Sequence, residues 1–414
     1  MSLPTLKCRF CHAAVSLPFI DLVNAPPSNS FLTAARLSEP EQYFPLKVFV
    51  CEKCWLVQVD EFKKFDEIFS ADYAYFSSFS RTWLAHCEAY VEQMRARLAL
   101  SPSSFVIEVA SNDGYLLQFF VKAGVPCLGI EPTTSTAVAA RARGVETKEV
   151  FWGRASAEAL VAERGQCDLA LGNNVLAHVP DINDFVAGFA IALAPTGTLT
   201  FEFPHLLNLI RLNQFDTVYH EHFSYLSLGA VRTILAAHGL TIYDVDELPT
   251  HGGSLRIYAR HTANTALPVK ASVGLLEERE QAAGLRDASG YANVQRSAND
   301  IRAAVLGFLC DQRRAGKRVA AYGAAAKGNT LLNFCGIKGN ELIEFVVDAS
   351  PHKQGLFLPG SHIPVVAEER LRADKPDFII ILPWNIREEI VTQLSYVREW
   401  GCRFVTFVPS LVVD

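Results

Sequence analysis

The sequence predicts an α/β protein in three parts: an N-terminal zinc-binding module, a central doubly wound sheet, and a C-terminal Rossmann-like domain. Three observations predict it. Cys8-x-x-Cys11 and Cys51-x-x-Cys54 form a matched pair of thiol knuckles, strand and helix patterns alternate from Ser104 to Phe203, and a second, shorter alternation begins at Arg318. Half of the 414 residues are hydrophobic and 20% are charged, which suits a globular chain large enough for two or three cores. The net charge of −6 argues against a nucleic-acid binder, which displays a basic face. Apolar runs stay short of the roughly 18 residues a membrane helix needs, and Met1–Phe10 lacks the apolar centre of a secretory signal, so a cytoplasmic location and no membrane partner are expected.

Taken in order, each Cys-x-x-Cys turn presents two thiolates to one tetrahedral ion, so Cys8, Cys11, Cys51 and Cys54 are the expected zinc ligands. Four thiolates leave no position for water or substrate, which makes the site structural, and His12 reads as a surface neighbour. The insert Ser16–Val50 needs a path of its own, with Asn24–Ser30 as a Pro-rich loop. After Asp72–Ser80, rich in hydroxyls and aromatics, apolar residues at Leu84, Cys87, Tyr90, Val91 and Met94 mark one face of a helix over Arg81–Leu100.

The central alternation runs through strands Phe105–Ala110, Leu128–Ile130, Cys167–Gly172 and Thr198–Phe203. A helix spans Tyr115–Ala123, and a polar turn, Pro132–Thr136, precedes the next. In such a sheet the ligand lies beyond the carboxyl ends of the strands. There the sequence places Glu108, Ala110, Asn112, Asp113 and Gly114 around the first turn, Glu131 closing the second strand, and Asn173 and Asn174 after a later one. Glu131 is expected to accept both hydroxyls of a ribose. Of the usual three glycines only Gly114 is kept, which counts against a dinucleotide, whose pyrophosphate needs close backbone approach. S-adenosylmethionine carries no phosphate and tolerates the loss.

Phe215–Leu228 crowds Tyr219, His220, Glu221 and His222 between apolar anchors, bringing a base, a carboxylate and a phenol within reach of one small substrate. A helix over Gly229–Gly239 follows, then two strands around His251–Tyr258, where Gly252 and Gly253 suit a hairpin turn or bulge. Ala271–Arg314 reads as a long charged helical segment bridging domains. The strand Arg318–Tyr322 leads through Gly323–Asn329 into a helix at Thr330, and further strands follow at Glu344–Val347, Phe378–Leu382 and Phe404–Val408. Small residues in that turn admit a phosphate and Lys327 adds charge, so Lys327, Asn329 and Asp348 are candidate contacts for a nucleoside diphosphate, against the alternative of plain helix packing. His362 and Trp384 read as scaffold.

The double Cys-x-x-Cys, Glu108–Gly114, Asn173–Val179, Tyr219–His222 and Ala321–Asn329, in that order, resemble the zinc-containing, S-adenosylmethionine-dependent C-methyltransferases of nucleotide-linked deoxysugars. The resemblance covers the whole chain and implies a zinc module over 1–70, a methyltransferase domain over 71–265 and a nucleotide-sugar domain over 266–414. It implies S-adenosylmethionine and zinc as cofactors and a nucleotide-linked 4-keto deoxysugar as substrate. It further implies His222 as base, with Tyr219, Glu221, Tyr73 and His178 lining the sugar pocket. Beside a ketone a sugar C–H becomes acidic enough for a histidine, and the enolate carbon can then take a methyl group. His220 and His178 are rival bases, and Glu221 is a candidate for orienting His222. A monomer or small homo-oligomer is expected. The competing classes are an NAD(P)-dependent sugar-nucleotide oxidoreductase, a zinc-bearing RNA methyltransferase and a non-catalytic sugar-nucleotide binder.

Overall fold

The computed structural model describes residues 6–62 and 76–414, with the side chain of Phe79 left aside. Among the described residues the strands form three sheets. In the N-terminal sheet, Leu17–Ala25, Phe44–Val50, Val57–Val59 and Ser224–Tyr225 pair antiparallel in that order. The insert thus becomes a hairpin, and Asn24 and Ala25, expected in a loop, close its first strand opposite Pro45 and Phe44.

The central sheet has the order Leu240–Leu248, Ser254–His261, Leu193–Pro204, Cys167–Asn173, Val106–Val109, Cys127–Ile130, Thr147–Lys148. The last five are parallel and the first two add antiparallel at one edge. Its central strands are covered on both faces, all four residues of Val106–Val109 being buried. Val106, Leu169 and Leu171 pack with Cys87, Tyr90 and Met94 of helix Arg81–Leu98. Ile107, Val109 and Ala170 pack on the other side with Ala157, Leu160, Phe185 and Phe189. The chain leaves Val106–Val109 in one direction and returns to build Cys167–Asn173 on its other side. The switch point therefore lies beyond the ends of those two strands, where ligands of such sheets bind.

The C-terminal sheet, Val365–Val366, Val346–Val347, Val319–Tyr322, Phe378–Ile381, Arg403–Thr406 and Val412–Val413, is parallel except at its last strand. Boundaries differ from the sequence reading at several points. A helix already starts at Thr134, inside the expected polar turn. Ala271–Arg314 is broken into Ala271–Ala282 and Val294–Arg314, because Gly284 at φ 78° packs its carbonyl against Gly290 where a side chain would clash. The helix that follows Val319–Tyr322 begins at Ala326, not Thr330.

The stretch Phe215–Tyr225 is wedged between lobes. Phe215, Val218, Phe223 and Tyr225 share one core with Phe19, Leu46 and Val57 of the N-terminal sheet and with Leu331, Phe334 and Val346 of the C-terminal lobe. Phe215 and Phe223 are 2% and 1% exposed, and burying each ring contributes about 2–3 kcal/mol. That anchoring is what allows the polar residues between them to be held in fixed positions.

Candidate active site

The four cysteines come together as one cluster, all sulfurs within 4.8 Å of one another, with Cys8–Cys54 and Cys11–Cys51 each at 3.5 Å. Zinc–sulfur bonds of about 2.3 Å in a tetrahedron need sulfurs roughly 3.8 Å apart, so the donor set fits zinc. Each knuckle ends in a left-handed residue directly after its second cysteine, His12 at φ 58° and Trp55 at φ 61°. Pairing with Cys54 and the backbone N–H groups of Cys11 and Phe10 hold the Cys8 thiol below its ordinary value, and the same pairing pushes Cys54 up. The metal site is tied to the candidate active site through the sheet: Val59 N donates to Phe223 O at 3.1 Å, and Val57 faces Tyr225.

At the switch point of the central sheet, Ala110, Asn112 and Gly114 all have positive φ (58°, 48° and 74°), and Asn174 has φ 52°. Left-handed non-glycine residues are costly and concentrate where a backbone is shaped for a ligand. Gly114 itself serves packing, since a Cβ there would stand 3.0 Å from Val145 Cγ2 and 3.2 Å from Ala140 Cβ. Glu131, 4% exposed, folds the turn together: Oε2 accepts from Asn112 N at 2.9 Å, and Oε1 accepts from Thr133 N at 3.0 Å and Thr133 Oγ1 at 2.5 Å. Asn112 Oδ1 accepts from Ser77 N, and Asp113 pairs with Arg143 at 3.0 Å and accepts from Ser78 Oγ. Burial pushes the Glu108 carboxyl well above its usual range, against the adjacent Tyr115 hydroxyl and with Glu131 and Asp113 acting in the same sense as burial.

Several buried polar atoms here have no hydrogen-bond partner among the described residues: Ser111 Oγ, Asp113 Oδ1, both side-chain atoms of Asn173 and Asn174 Oδ1. Burying such groups unsatisfied costs about 1–3 kcal/mol each, so a polar ligand along this edge relieves them. The loop fits S-adenosylmethionine on that ground.

The second polar cluster lies in the wedged stretch. Tyr219 Oη is 2.8 Å from His222 Nε2, with ring centroids 4.0 Å apart, and His222 Nδ1 donates to Thr217 O at 2.9 Å. His178 Nδ1 donates to Glu221 O at 2.8 Å, and its ring meets His222 edge-on at 4.6 Å. Because a carbonyl can only accept, both histidines carry their proton on Nδ1, and the Nε2 lone pair of His222 faces Tyr219. Tyr219 therefore donates to His222. Burial lowers His222 well below the ordinary histidine value, helped by His178, Lys327 and His251, and burial lowers His178 to about 4. At neutral pH both are unprotonated and able to accept a proton.

The remaining expected residues are distributed differently. His220 turns away, its Nε2 donating to Pro45 O at 3.1 Å in the N-terminal sheet, and so leaves the base position to His222 or His178. The Glu221 carboxylate accepts from Asn29 Nδ2 at 2.8 and 2.9 Å, whereas His222 is oriented by Thr217 and Tyr219. Tyr73 lies outside the described residues. In the C-terminal turn the glycines answer to packing: a Cβ on Gly323 would meet Pro383 at 2.4 Å and one on Gly328 would meet Leu382 at 2.7 Å. Asn329, 1% exposed, donates to Ser28 O, and Asp348 accepts from Ala324 N and Ser350 N, so both shape the turn from inside. Lys327 Nζ donates to Asn385 Oδ1 at 2.9 Å and lies 4.5 Å from the ring centre of Trp384.

Sequence reasoning missed four participants. Asn29, Asp216 and Trp384 reach the cluster only through the fold, and Trp384, expected as scaffold, donates to Asp216 Oδ2 at 2.7 Å. His251, taken as part of a hairpin turn, stands at φ 54° with Nε2 3.1 Å from Asn174 Nδ2 and its ring 5.2 Å from Trp83. The unusual run His251-Gly-Gly was the available signal.

Comparison with characterised proteins decides the family. The chain is 34% identical over 413 residues to the C-methyltransferase NovU of Streptomyces niveus, covering 98% of this chain and 96% of that one. The chain belongs to the zinc-containing, S-adenosylmethionine-dependent C-methyltransferases. Family models agree along its length: a zinc binding domain over 8–69, a methyltransferase domain over 83–245 and a C-methyltransferase C-terminal domain over 249–409. A ubiquinone biosynthesis O-methyltransferase of Rhodopseudomonas palustris is 24% identical over 94 residues, 23% of this chain and 37% of that one. Among solved structures, an S-adenosylmethionine-dependent methyltransferase of Anabaena variabilis is similar at TM-score 0.38 and 12% identity, over 49% of this chain and 99% of that one. Magnesium protoporphyrin IX methyltransferase of Synechocystis follows at TM-score 0.34 and 17% identity, over 42% and 82%. In this C-methyltransferase no helix among the described residues is long and apolar enough to cross a membrane.

Proposed function

We propose that the enzyme methylates the carbon next to the ketone, C3, of a 4-keto-6-deoxy sugar carried on a nucleotide, through an enolate, with His222 as base. The observation that carries this reading is the His222 geometry: a neutral imidazole, fixed by Thr217 O, whose Nε2 faces Tyr219 and the edge of His178. Methylation at carbon needs a carbon nucleophile, and a base of this kind makes one only beside an electron-withdrawing carbonyl. S-adenosylmethionine, when bound, supplies an electrophilic methyl group.

The chain's own residues do the rest. His222 Nε2 takes the α-proton as the C–H electron pair moves toward the ketone oxygen. Tyr219, already bonded to that nitrogen, is the residue that must yield as substrate enters, and its hydroxyl then serves the sugar. A positioned base of this kind contributes about 10²–10⁴ in rate. His178, whose ring meets His222 edge-on at 4.6 Å, stays neutral beside the imidazolium that forms. Glu108, Ala110, Asn112, Asp113, Gly114, Glu131, Asn173 and Asn174 are assigned to the methyl donor, Glu131 to its ribose. The nucleotide is assigned to the carboxyl ends of the C-terminal sheet, along the turn Gly323–Asn329 and Asp348. Tyr73 is assigned to the sugar pocket from its sequence position alone.

The test is incubation with S-adenosylmethionine and a panel of 4-keto-6-deoxy nucleotide sugars, read by mass and by product NMR. Gain of one methyl group on C3 is the expected result. Methylation on oxygen, or of no member of the panel, refutes the reading.

A further inference from the structure

The C-terminal lobe reaches the base through Trp384, which follows strand Phe378–Ile381 at its carboxyl end. Its indole N–H donates to Asp216 Oδ2 at 2.7 Å in the wedged stretch. Its six-membered ring closes on Gly252, directly after His251, where a Cβ would stand 2.5 Å from Trp384 Cη2. Lys327 Nζ, in the turn to which the nucleotide is assigned, lies 4.5 Å from the ring centre. Asp216 is fully buried, and the next residue, Thr217, supplies the carbonyl that accepts from His222 Nδ1 at 2.9 Å. The flanking backbone is pinned as well. Gln214 Nε2 donates to Gly252 O at 2.7 Å, Gln214 O accepts from Thr217 Oγ1 at 2.7 Å, and Val218 O accepts from Thr330 Oγ1 at 2.9 Å. A buried carboxylate deprived of its donor is costly, so Asp216 follows the indole. Burial pushes the Asp216 carboxyl up to about 6, with Lys327 and the indole N–H acting against burial, which leaves it ionised at neutral pH and a strong acceptor for Trp384.

We propose that Trp384 is a positioning residue for methyl transfer: through Asp216 it fixes the Thr217 carbonyl, and through that carbonyl the direction of the His222 imidazole. This rests on His222 as the base and deepens that reading. Trp384 and Asp216 carry no proton of the reaction; they act through the backbone of Thr217. The orientation of an imidazole is set by the group its N–H donates to, so a shift of that carbonyl swings Nε2 away from the proton it must take. A displacement of about 1 Å in a reacting group is enough to cost roughly 100-fold in rate. The side chain must combine a ring, to pack on Gly252 and under Lys327, with an N–H at its edge for Asp216, and tryptophan supplies both. Because the same indole lies against Lys327, the lobe assigned to the nucleotide also sets the alignment of the base.

The test compares full-length, zinc-loaded wild type with Trp384→Phe, which keeps a ring against Gly252 and Lys327 and removes the N–H, and with Asp216→Ala, Asp216→Asn and the Trp384→Phe/Asp216→Ala double variant. Methyl-transfer kinetics on the sugar nucleotide give kcat and KM, and NMR of protein labelled with ¹⁵N-histidine reads the His222 Nδ1–H, identified by its loss in His222→Asn. The Nδ1–H of His178, held by Glu221 O, is the internal reference. Trp384→Phe is expected to lower kcat by about 10- to 100-fold with both KM values within about threefold, and to move the His222 signal while that of His178 stays in place. The double variant should be no worse than Asp216→Ala, because both changes cut the same link. Asp216→Asn, whose amide oxygen still accepts from the indole, should recover most of the kcat lost in Asp216→Ala. An unmoved His222 signal in folded Trp384→Phe, a loss confined to KM or to thermal stability, or losses that add in the double variant overturn the proposal. If no sugar nucleotide is methylated by the wild type, the substrate reading fails, and the His222 signal alone decides whether Trp384 positions that ring.

Discussion

Replacing Glu131 separates the cofactor reading from a purely structural one. Its carboxylate accepts two buried backbone N–H groups, from Asn112 and Thr133, and the Thr133 hydroxyl. Glu131→Ala strands the two N–H groups, each costing about 1–3 kcal/mol less whatever water recovers, so a stability loss of about 2–4 kcal/mol is expected. The Asn112 N–H is the bond that holds a left-handed loop residue in place, so the turn Ala110–Gly114 loses its tie to the second strand at the same time. If the carboxylate also accepts ribose hydroxyls, at least one charge-assisted bond of about 1.5–3 kcal/mol goes as well, and S-adenosylmethionine affinity should fall by 10-fold or more. Calorimetry with the cofactor, thermal unfolding and nucleoside-diphosphate titration on the same preparation read the three quantities apart. Nucleotide affinity should stay near wild type. A folded Glu131→Ala protein that binds the cofactor within twofold of wild type refutes the reasoning.

Cys51→Ser should abolish zinc binding and lower unfolding stability, and because the metal-bearing sheet pairs with Ser224–Tyr225, methyl transfer should fall while cofactor affinity holds. Equal zinc content in variant and wild type contradicts the site. Asn29→Ala removes both bonds to the Glu221 carboxylate, and an expected loss of about 1–3 kcal/mol in denaturant unfolding measures how far the N-terminal loop braces the base. The buried histidines give a pH signature. His178 and His251 titrate near 4 when folded and near 6.5 when unfolded, so the unfolded chain takes up protons first, and stability should fall as pH drops from about 6.5 to 4. His251→Asn should flatten that decline in urea titrations, and an unchanged slope contradicts it.

The parts of the fold that repeat locally were legible. Unbroken apolar runs such as Phe378–Ile381 and the spaced face Cys87, Tyr90, Met94 declare their elements, and Cys-x-x-Cys turns declare a metal because ligand spacing is itself local. The reach of Ser224–Tyr225 across to Val57 was not legible, since a two-residue strand has no periodicity. Nor could the sequence show that Glu221 faces Asn29 while His222 faces Tyr219, because adjacent residues diverge once the backbone turns. Gly114, Gly323 and Gly328 illustrate a second limit: close approach to a ligand and close approach to a neighbouring side chain select the same residue. Trp384 and Asp216 meet only because two lobes pack together, which no local pattern records.

The central claim is that His222 removes the proton beside the ketone before methyl transfer. The most direct measurement is α-deuterium exchange of a bound 4-keto-6-deoxy nucleotide sugar in deuterated water, with the methyl-donor site filled by a non-transferring analogue, comparing wild type with His222→Asn. The account predicts exchange in the wild type and its loss, together with methylation, in the variant, both ligands still binding. Exchange at the wild-type rate in His222→Asn would contradict it and transfer the role of base to His178.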